Sequence, residues 1–406
     1  MSKAVNYSLQ ALCVLLSIVL SSPAVLAAEG GAAAAGHSNI YERQVIEVIK
    51  AIRDNRIDQA QQQLTGLLDQ EPNFKLARLL QADLFSARAG VISQLGSVAE
   101  AGQQGQYAAL RTEAAKRWRY YLDVKDTLAG QVPSNLLEVD PGQRYVLAVD
   151  MNASRMFLFE NRAGDGLYLV NDFYVTIGLR GPRKSTRGDQ RTPVGIYFVN
   201  DFIPAKALPD MYGAGAFPLN YPNEWDRRHG KTGYGIWLHG TPSYTFNRAP
   251  WASDGCVTLS NLDFMTLSSY IDVGRTPVIL AEHIDWTTPS QLSQARDQLH
   301  QALQRWKQDW ESRDVKRYLQ HYSKAFFGQG KNYQAWRDNA RASYANAEEL
   351  NINLSDISIY AYPDEKMVVT TFNQEYRSST AVQRSTKRQY WRFENGEWKI
   401  IYEGSV

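Results

Sequence analysis

Residues 251–261 read WASDGCVTLSN and place a cysteine directly after a glycine. Gly255 lets the backbone turn sharply enough to expose the Cys256 sulfur and to aim amide groups beside it. A free cysteine is also commonly a small buried hydrophobic residue. The segment alone therefore leaves a catalytic and a structural interpretation of Cys256 open, and the motifs before it decide between them.

Two motifs precede this segment. Residues 235–242 read GIWLHGTP, which puts His239 at the end of an apolar strand and before a glycine turn, where its ring can face a cleft and act as a base. Residues 188–197 read GDQRTPVGIY and lead into another short strand. Acyl transfer by a cysteine needs an imidazole within hydrogen-bonding reach of the thiol, which the fold has to provide.

The order Thr-Pro-x-Gly, His-Gly, Ser-x-Gly-Cys and a following Asn resembles the L,D-transpeptidase catalytic domain family, also called YkuD type, over residues 144–282. The resemblance implies a β-sandwich-like sheet, no metal or other cofactor, and a cysteine that attacks the peptidoglycan stem peptide ahead of a terminal D-Ala. It also implies the roles of four residues. Cys256 would be the nucleophile, His239 the base, the Gly240 carbonyl the group that orients the imidazole, and the amides of Gly255 and Cys256 the oxyanion site.

Two positions depart from the family pattern. Asp254 stands where His is commonest, and Thr258 stands where Arg is frequent. An acidic group beside a thiolate tends to raise the thiol pKa, and the missing guanidinium removes a bidentate grip on a substrate carboxylate. The predicted substrate-binding residues are Ser253, Asp254, Thr258, Asn261, Arg187 and Arg191. The last two belong to a basic loop, which also contains Arg180, Arg183 and Lys184. This loop either supplies the missing cation to the substrate or is a solvated face.

The first residues have the pattern of a signal peptide. Lys3 precedes an apolar run, and small residues follow at the point where a signal peptidase would cut. We predict a signal peptide over 1–27, a Gly/Ala linker over 28–38, and an exported protein of the periplasm or cell envelope. An uncleaved anchor is the weaker alternative, because the run is shorter than the about 20 apolar residues of a membrane span. Cleavage would remove Cys13 and leave Cys256 without a disulfide partner.

The pattern over the rest of the chain predicts a multidomain α and β protein. Helical spacing dominates 39–130, where one tetratricopeptide-like hairpin and an ordinary helical hairpin fit equally well. Alternating strands among Gly/Pro-rich loops predict a β-rich catalytic domain over 140–285. A long amphipathic segment with a break near Ser312, followed by four strand-like runs, predicts a separate α+β domain over 290–406. Asn395-Gly396 is predicted to be a hairpin turn between the last two runs.

The aromatic-rich segment between Trp306 and Trp336 resembles the opening helices of a nuclear-transport-factor-2-like cone-shaped domain. Exported proteins that join this domain to a YkuD-type domain include the cell-shape L,D-carboxypeptidases, which trim a terminal D-Ala from tetrapeptide stems. The resemblance therefore implies cell-wall remodelling through an acyl-enzyme thioester at Cys256. An amine acceptor makes the enzyme an L,D-transpeptidase, our first prediction, and water makes it an L,D-carboxypeptidase. A non-catalytic wall-binding adaptor is the third interpretation, against which the intact His239 and Cys256 motifs argue.

Composition and charge exclude other classes. The 406 residues carry a formal net charge of +2, with 44% hydrophobic and 21% charged residues, as in folded domains. So small a charge provides no long-range field to gather nucleic acid. The predicted partners are peptidoglycan stem peptides, with no nucleic acid and no membrane span after signal cleavage. A second copy of the chain or a protein partner at the terminal domains stays open.

A zinc site is the competing interpretation from another enzyme class. Its ligands would be Cys256, His239, His229 and Asp226. No tight ligand pair such as His-Glu-x-x-His is present, and His229 ends a run, Asp-Arg-Arg-His, that is typical of a solvated loop. The prediction therefore contains no metal.

Overall fold

A computed structural model describes residues 40–88, 104–345, 350–378 and 382–406. The predicted signal peptide, the linker and Cys13 lie outside the described residues. The chain divides into two compact units. The first unit takes the described residues up to Ala129 together with Leu147–Phe159 and Leu169–His283, and the second takes Gly130–Val146, Glu160–Tyr168 and Ile284–Val406. Among the described residues, no helix is long and apolar enough to cross a membrane.

Four helices begin the first unit: α1 Ile40–Arg53, α2 Ile57–Gln70, α3 Lys75–Arg88 and α4 Gln104–Arg119. The apolar stripe of α1, with Val45, Ile49 and Ile52, is buried as its spacing predicts. It packs against the apolar faces of α2 and α3, which antiparallel packing brings to the same core. A π-helical turn at Tyr120–Val124 and a 3₁₀ turn at Lys125–Leu128 then end the helical region.

The helices are joined to the strands of the same unit by buried ion pairs. Arg155 binds Glu42 of α1 and, at 3.1 Å, Asp172. Arg117 of α4 binds both Glu42 and, at 3.0 Å, Glu113. All five side chains are buried. Removing one partner would leave an uncompensated buried charge, so this cluster sets the position of the helices specifically.

A five-stranded sheet forms the centre of the predicted catalytic domain, in the order β5-β4-β3-β13-β7. These strands are β3 Tyr145–Asp150, β4 Arg155–Arg162, β5 Gly166–Tyr174, β7 Gly195–Phe198 and β13 Pro277–Ala281. Strand β13 runs parallel to β3 and antiparallel to β7, and it is buried throughout. A central strand that is covered on both faces reads as a continuous apolar run, which is the pattern of residues 277–281.

Two smaller sheets carry the sequence motifs. One has the order β12-β10-β9-β8, with β8 Ile203–Pro204, β9 Gly215–Pro218, β10 Trp237–His239 and β12 Val257–Thr258. The other pairs β6 Ile177–Gly178 with β11 Trp251–Ser253. The same part of the chain forms the short helices α5 Glu224–Arg228 and α6 Asn261–Ser268 and the 3₁₀ turns Ala205–Ala207 and Asp210–Tyr212. Ser260 caps α6 by accepting the Asp263 amide, which is why the helix begins immediately after the cysteine segment.

The second unit is α+β, as predicted. Its helices are α7 Pro289–Glu311, α8 Val315–Gln320 and α9 Tyr333–Ala345. The strands are β15 Tyr322–Gly328, β16 Lys331–Asn332, β17 Leu350–Ala361, β18 Met367–Ser378, β19 Val382–Glu394 and β20 Glu397–Ser405. Helix α7 ends at Glu311 with Ser312 as its C-cap, at the predicted break, and Asp314 caps α8. The predicted Asn395-Gly396 turn connects β19 and β20 with both residues at positive φ.

This sheet has an edge that the pattern did not predict. Strand β2, Leu136–Glu138, pairs with β17 and extends the order to β16-β15-β20-β19-β18-β17-β2. A second short strand, β1 Val132–Pro133, pairs with β14 Trp286–Thr287. Two- and three-residue strands show no period of their own, so only their partners reveal them. The predicted fold class, helical, then β-rich, then α+β, is confirmed.

Candidate active site

The loop between β11 and β12 presents Cys256. Gly255 has φ of 128°, which side-chain-bearing residues rarely adopt, and a Cβ there would lie 2.7 Å from the Arg191 carbonyl oxygen. Ser253 closes the loop, because its hydroxyl donates to the Cys256 carbonyl at 2.6 Å and accepts the Gly255 amide at 3.1 Å. Glycine is therefore required at 255, and Ser253, predicted to bind substrate, holds the nucleophile loop.

The Cys256 thiol is half-buried and donates to the Gly235 carbonyl, with Sγ and O 3.2 Å apart. Burial raises the pKa of the thiol to about 11. A hydrogen bond from the Trp237 backbone and the positive charges of Arg248 and Lys184 lower this pKa, while the carboxylate of Asp254 raises it, as the sequence predicts. At neutral pH the resting group is the thiol, so a base is needed to make the nucleophile.

His239 ends β10 and is buried. Its Nδ1 lies 2.7 Å from the Gly240 carbonyl oxygen, which can only accept, so Nδ1 carries the proton and Nε2 carries the lone pair. Burial lowers the pKa of the imidazole to about 4. The ring is neutral at physiological pH and is in the tautomer that can take a proton at Nε2.

Strand pairing brings the two motifs together. Strand β10 runs parallel to β12, with His239 opposite Thr258, and the Thr258 hydroxyl lies 3.4 Å from Nε2. Thr258 is buried and its amide donates to Thr176, so the residue predicted to bind substrate lies against the base. In the described chain the thiol bonds to Gly235 and not to the imidazole. Proton transfer therefore requires the thiol to leave the Gly235 carbonyl.

Asn261 positions the turn that follows the base. Its Oδ1 accepts the amides of Ala214 at 2.9 Å and Thr241 at 3.1 Å, and its Nδ2 donates to the Thr241 carbonyl at 2.8 Å. A Cβ at Gly240 would collide with this amide and lie 2.8 Å from the Ala214 nitrogen. The Asn261 side chain, predicted to bind substrate, thus bonds to the backbone of two loops. Because it occupies the space beside residue 240, the residue after His239 must be a glycine.

The predicted oxyanion donors differ in their availability. The Gly255 amide already donates to Ser253. The Cys256 amide donates to no acceptor in the described parts of the chain, so it is the donor that a developing oxyanion can use without breaking another bond. The Tyr212 ring packs edge-on against the imidazole, with centroids 5.1 Å apart, and covers the base.

The basic loop is held mainly by its own contacts. Arg191 donates to the Pro182 carbonyl at 2.9 Å, and Arg187 donates to the Tyr234 hydroxyl at 3.2 Å. Lys184 is buried against Asp189, with Nζ and Oδ1 2.8 Å apart. Asp254 accepts Gln190 Nε2 at 2.9 Å. Substrate binding by Arg187 and Arg191 stays a prediction.

Thr192 and Arg248 were not predicted as site residues. Thr192, fully buried, donates to the Gly255 carbonyl at 2.9 Å and accepts the Gly178 amide at 2.9 Å. Because Thr192 is the threonine of the Thr-Pro-x-Gly motif, the sequence could have indicated that it supports the site. Arg248 is an isolated arginine in the loop before the cysteine segment, and nothing in the local pattern marks it.

The helices of the first unit hold the segment that connects His239 to Cys256, which we call the linking loop, residues 240–250. The buried Asn247 Nδ2 donates to Glu113 of α4 at 2.6 Å. The Phe246 amide donates to the Asn73 carbonyl at 3.2 Å, and the Phe246 ring packs on Phe74 with centroids 4.6 Å apart. Part of the active-site framework therefore comes from outside the β-rich region.

The residues of the zinc interpretation have other partners. His229 Nδ1 lies 2.8 Å from the Trp225 carbonyl oxygen, and buried Asp226 binds Lys231 at 2.8 Å and accepts the Tyr197 hydroxyl at 2.9 Å. Asp226 also completes the capping box of α5 with Asn223. Within the described ranges, no group of three or more His, Cys, Asp or Glu side chains could hold a metal ion.

The raised thiol pKa predicts how Cys256 reacts with pH. Only the thiolate is alkylated by iodoacetamide, and below the raised pKa its fraction grows about tenfold per pH unit. We expect the alkylation rate to rise steadily from about pH 7 to pH 10, whereas free cysteine levels off above its pKa of about 8.5. Mass spectrometry of the labelled protein measures the rate. A rate that is already level at pH 7 would instead show a stable thiolate–imidazolium pair.

Comparison with known proteins assigns families to both regions. The L,D-transpeptidase catalytic domain family matches residues 144–280. The Cds6 C-terminal NTF2-like domain matches residues 298–404. No curated protein matches the chain.

Two solved structures resemble most of the chain. Bd1075 of Bdellovibrio bacteriovorus is 30% identical, with a TM-score of 0.60 over 68% of this chain and 98% of its own. The helical cell shape determining protein Pgp2 of Campylobacter jejuni is 24% identical, with a TM-score of 0.54 over 64% of this chain and 91% of its own. The second likeness shows a shared fold.

Proposed function

We propose, since this chain belongs to the L,D-transpeptidase catalytic domain family, that it is a cysteine-dependent enzyme acting on peptidoglycan stem peptides. The observation that carries the proposal is the state of His239. Its Nδ1–H is held by the Gly240 carbonyl, which leaves Nε2, 3.4 Å from the Thr258 hydroxyl, as the nitrogen that can take a proton. The half-buried Cys256 thiol, which needs such a base, lies on the adjoining loop. Transpeptidation is the first candidate reaction.

The first half-reaction breaks the bond to the terminal D-Ala. The thiol leaves the Gly235 carbonyl, His239 Nε2 takes its proton, and the sulfur attacks the carbonyl carbon ahead of D-Ala. The Cys256 amide donates to the oxyanion, a contribution worth about 10² to 10³ in rate for one such donor. The imidazolium then gives its proton to the D-Ala nitrogen, which leaves as the amine, and the stem peptide stays on Cys256 as a thioester.

Proton transfer and attack must be closely coupled at this site. A buried imidazole with a pKa near 4 and a thiol with a pKa near 11 do not form a stable ion pair. The charges therefore exist only while the tetrahedral intermediate forms, and the Gly240 carbonyl stabilises the imidazolium through Nδ1–H during that time. Tyr212 packs edge-on against the imidazole ring, with centroids 5.1 Å apart.

The second half-reaction decides between two activities. The attacking amine or water gives a proton to His239 Nε2, the carbon–sulfur bond breaks, and the proton returns to Cys256, which leaves as the thiol. A stem-peptide amine gives a cross-link in this way, whereas water gives a shortened stem and makes the enzyme an L,D-carboxypeptidase. The carboxypeptidase is the second candidate because the catalytic domain is joined to a Cds6 C-terminal NTF2-like domain and the chain resembles a cell shape determining protein. We propose a role in cell-wall remodelling and cell shape, and export to the envelope, where stem peptides occur.

Product analysis tests the proposal. We expect the protein to release D-Ala from tetrapeptide muropeptides and intact-protein mass spectrometry to show a transient adduct on Cys256. With an amine donor present, a transpeptidase forms a product that contains both stems, whereas a carboxypeptidase forms the tripeptide with or without the donor. Unchanged muropeptides and an unmodified protein would refute the proposal.

A further inference from the structure

The linking loop carries a cation next to the two reacting groups. Arg248 is half-buried, and its guanidinium makes one long hydrogen bond, from Nη1 to the Ala252 carbonyl at 3.4 Å. Within the part of the chain that the structure describes, it has no carboxylate partner. A guanidinium with unused donors and no anion beside it can bind an anionic ligand through two parallel hydrogen bonds.

The position of Arg248 is defined by its backbone. Its carbonyl accepts the Tyr174 hydroxyl at 3.2 Å, the Thr176 hydroxyl at 3.0 Å and Asn247 Nδ2 at 3.3 Å. Asn247 is in turn bonded to Glu113 at 2.6 Å. The main chain is thus anchored from the β-rich region and from the helices, while the guanidinium keeps most of its donors available.

Backbone contacts place Arg248 beside the strand that faces the base. The Thr176 hydroxyl donates to the Arg248 carbonyl at 3.0 Å, and the Thr176 backbone exchanges two hydrogen bonds of 2.9 Å with Thr258, which lies opposite His239. The positive charge of Arg248 contributes to lowering the pKa of both the His239 imidazole and the Cys256 thiol. Two cations of the basic loop already have carboxylate partners, because Lys184 pairs with Asp189 and Arg183 pairs with Glu282. Position 258, where the family pattern often has Arg, is a buried threonine.

We propose that Arg248 is a specificity-determining residue that binds the free carboxylate of the terminal D-Ala, next to the bond that Cys256 attacks. The inference rests on the proposed function, because that carboxylate belongs to the stem peptide. A planar fork of donors suits a carboxylate in bidentate geometry, and two such bonds orient the adjoining peptide group. The linking loop then supplies the guanidinium that position 258 lacks.

The test compares two substrates that differ only in this carboxylate, a tetrapeptide stem and its C-terminal amide. We expect the Arg248→Gln variant to lose about 10- to 100-fold in kcat/KM on the acid, which is the range for a lost hydrogen bond to a charged group. The kcat/KM on the amide should change far less, so the variant should lose most of its preference for the acid. Removing a charge near His239 and Cys256 alters their reactivity toward both substrates equally, and the ratio of the two kcat/KM values isolates recognition.

Arg275→Gln is the matched control, because Arg275 is an exposed arginine that pairs with Asp272 across a turn. It should keep the full preference for the acid. If Arg248→Gln leaves the acid-to-amide ratio of the kcat/KM values unchanged, even where both values fall, Arg248 does not bind the carboxylate. That result would leave the proposed enzyme activity standing.

A binding measurement keeps the inference separate from the reaction. In the Cys256→Ala background, calorimetry should show the acid binding about tenfold or more tightly than the amide, and this difference should disappear in the Cys256→Ala/Arg248→Gln protein. If the native protein releases no D-Ala but this difference is found, the proposed function fails and the carboxylate site stands. If acid and amide bind equally before Arg248 is changed, the carboxylate site is refuted.

Discussion

The Cys256→Ala variant is expected to lose all measurable D-Ala release, a drop of about 10⁶-fold if the nucleophile contributes as in other covalent hydrolases. The fold should persist, because the side chain is only half-buried and, among the residues that the structure describes, it donates one hydrogen bond, to the Gly235 carbonyl. We expect the free energy of unfolding to fall by less than about 1.5 kcal/mol. D-Ala release and thermal unfolding of the same preparation measure both quantities.

Ser268→Ala is the control for this variant. Ser268 also donates one hydrogen bond to a backbone carbonyl, that of Phe264 at 2.7 Å, but it lies at the end of α6. Its removal should leave turnover intact. Full muropeptide activity in Cys256→Ala would exclude Cys256 as the nucleophile and would favour an adaptor or a different catalytic centre.

The second large effect is expected for His239→Gln, about 10² to 10⁴ in kcat/KM, the usual contribution of a positioned base. Glutamine can still bond to the Gly240 carbonyl but has no group that takes a proton near neutral pH. Since the thiol pKa is raised, the variant should recover part of its rate as the pH approaches 11, where the thiolate forms without a base. A pH profile of kcat/KM for the variant and the native protein measures this recovery.

His229→Gln provides a matched comparison. His229 likewise places Nδ1 2.8 Å from a backbone carbonyl and packs on a tryptophan ring, with centroids 4.2 Å apart, but it lies at the end of α5. We expect it to retain native activity. Equal losses in the two variants, restored by added zinc, would support the metal interpretation in place of the cysteine mechanism.

Local pattern was sufficient for the longer helices, for several turns and for the order of the motifs, but not for the two- and three-residue strands β1 and β2. The 3.6-residue period of α1, the proline and capping box that begin α7 and the Asn395-Gly396 turn each follow from a few neighbouring residues, since backbone preference and side-chain capping act over one or two turns. The Gly-Cys loop and the histidine at the end of a strand could also be recognised from the sequence, because each motif is one continuous stretch of residues.

The roles of the polar residues near these motifs depended on distant partners. Asn261, Ser253 and Thr258 were grouped as substrate contacts, and the structure places their side chains on backbone or on the base. A hydrogen-bonding side chain is equally able to bind a ligand or a neighbouring loop. Which of the two it does depends on the loop that folding brings within about 3 Å.

The three-part architecture, the candidate nucleophile and the candidate base can therefore be recognised from contiguous stretches of residues. The bond between α4 and Asn247, the effect of the Arg248 charge on Cys256 and His239, and the raised pKa of the thiol and lowered pKa of the imidazole all depend on tertiary contacts. Helix and turn preferences are local and additive, so they can be read from neighbours. Burial and electrostatic potential at one atom sum over everything packed around it, and that surrounding exists only once the chain has folded.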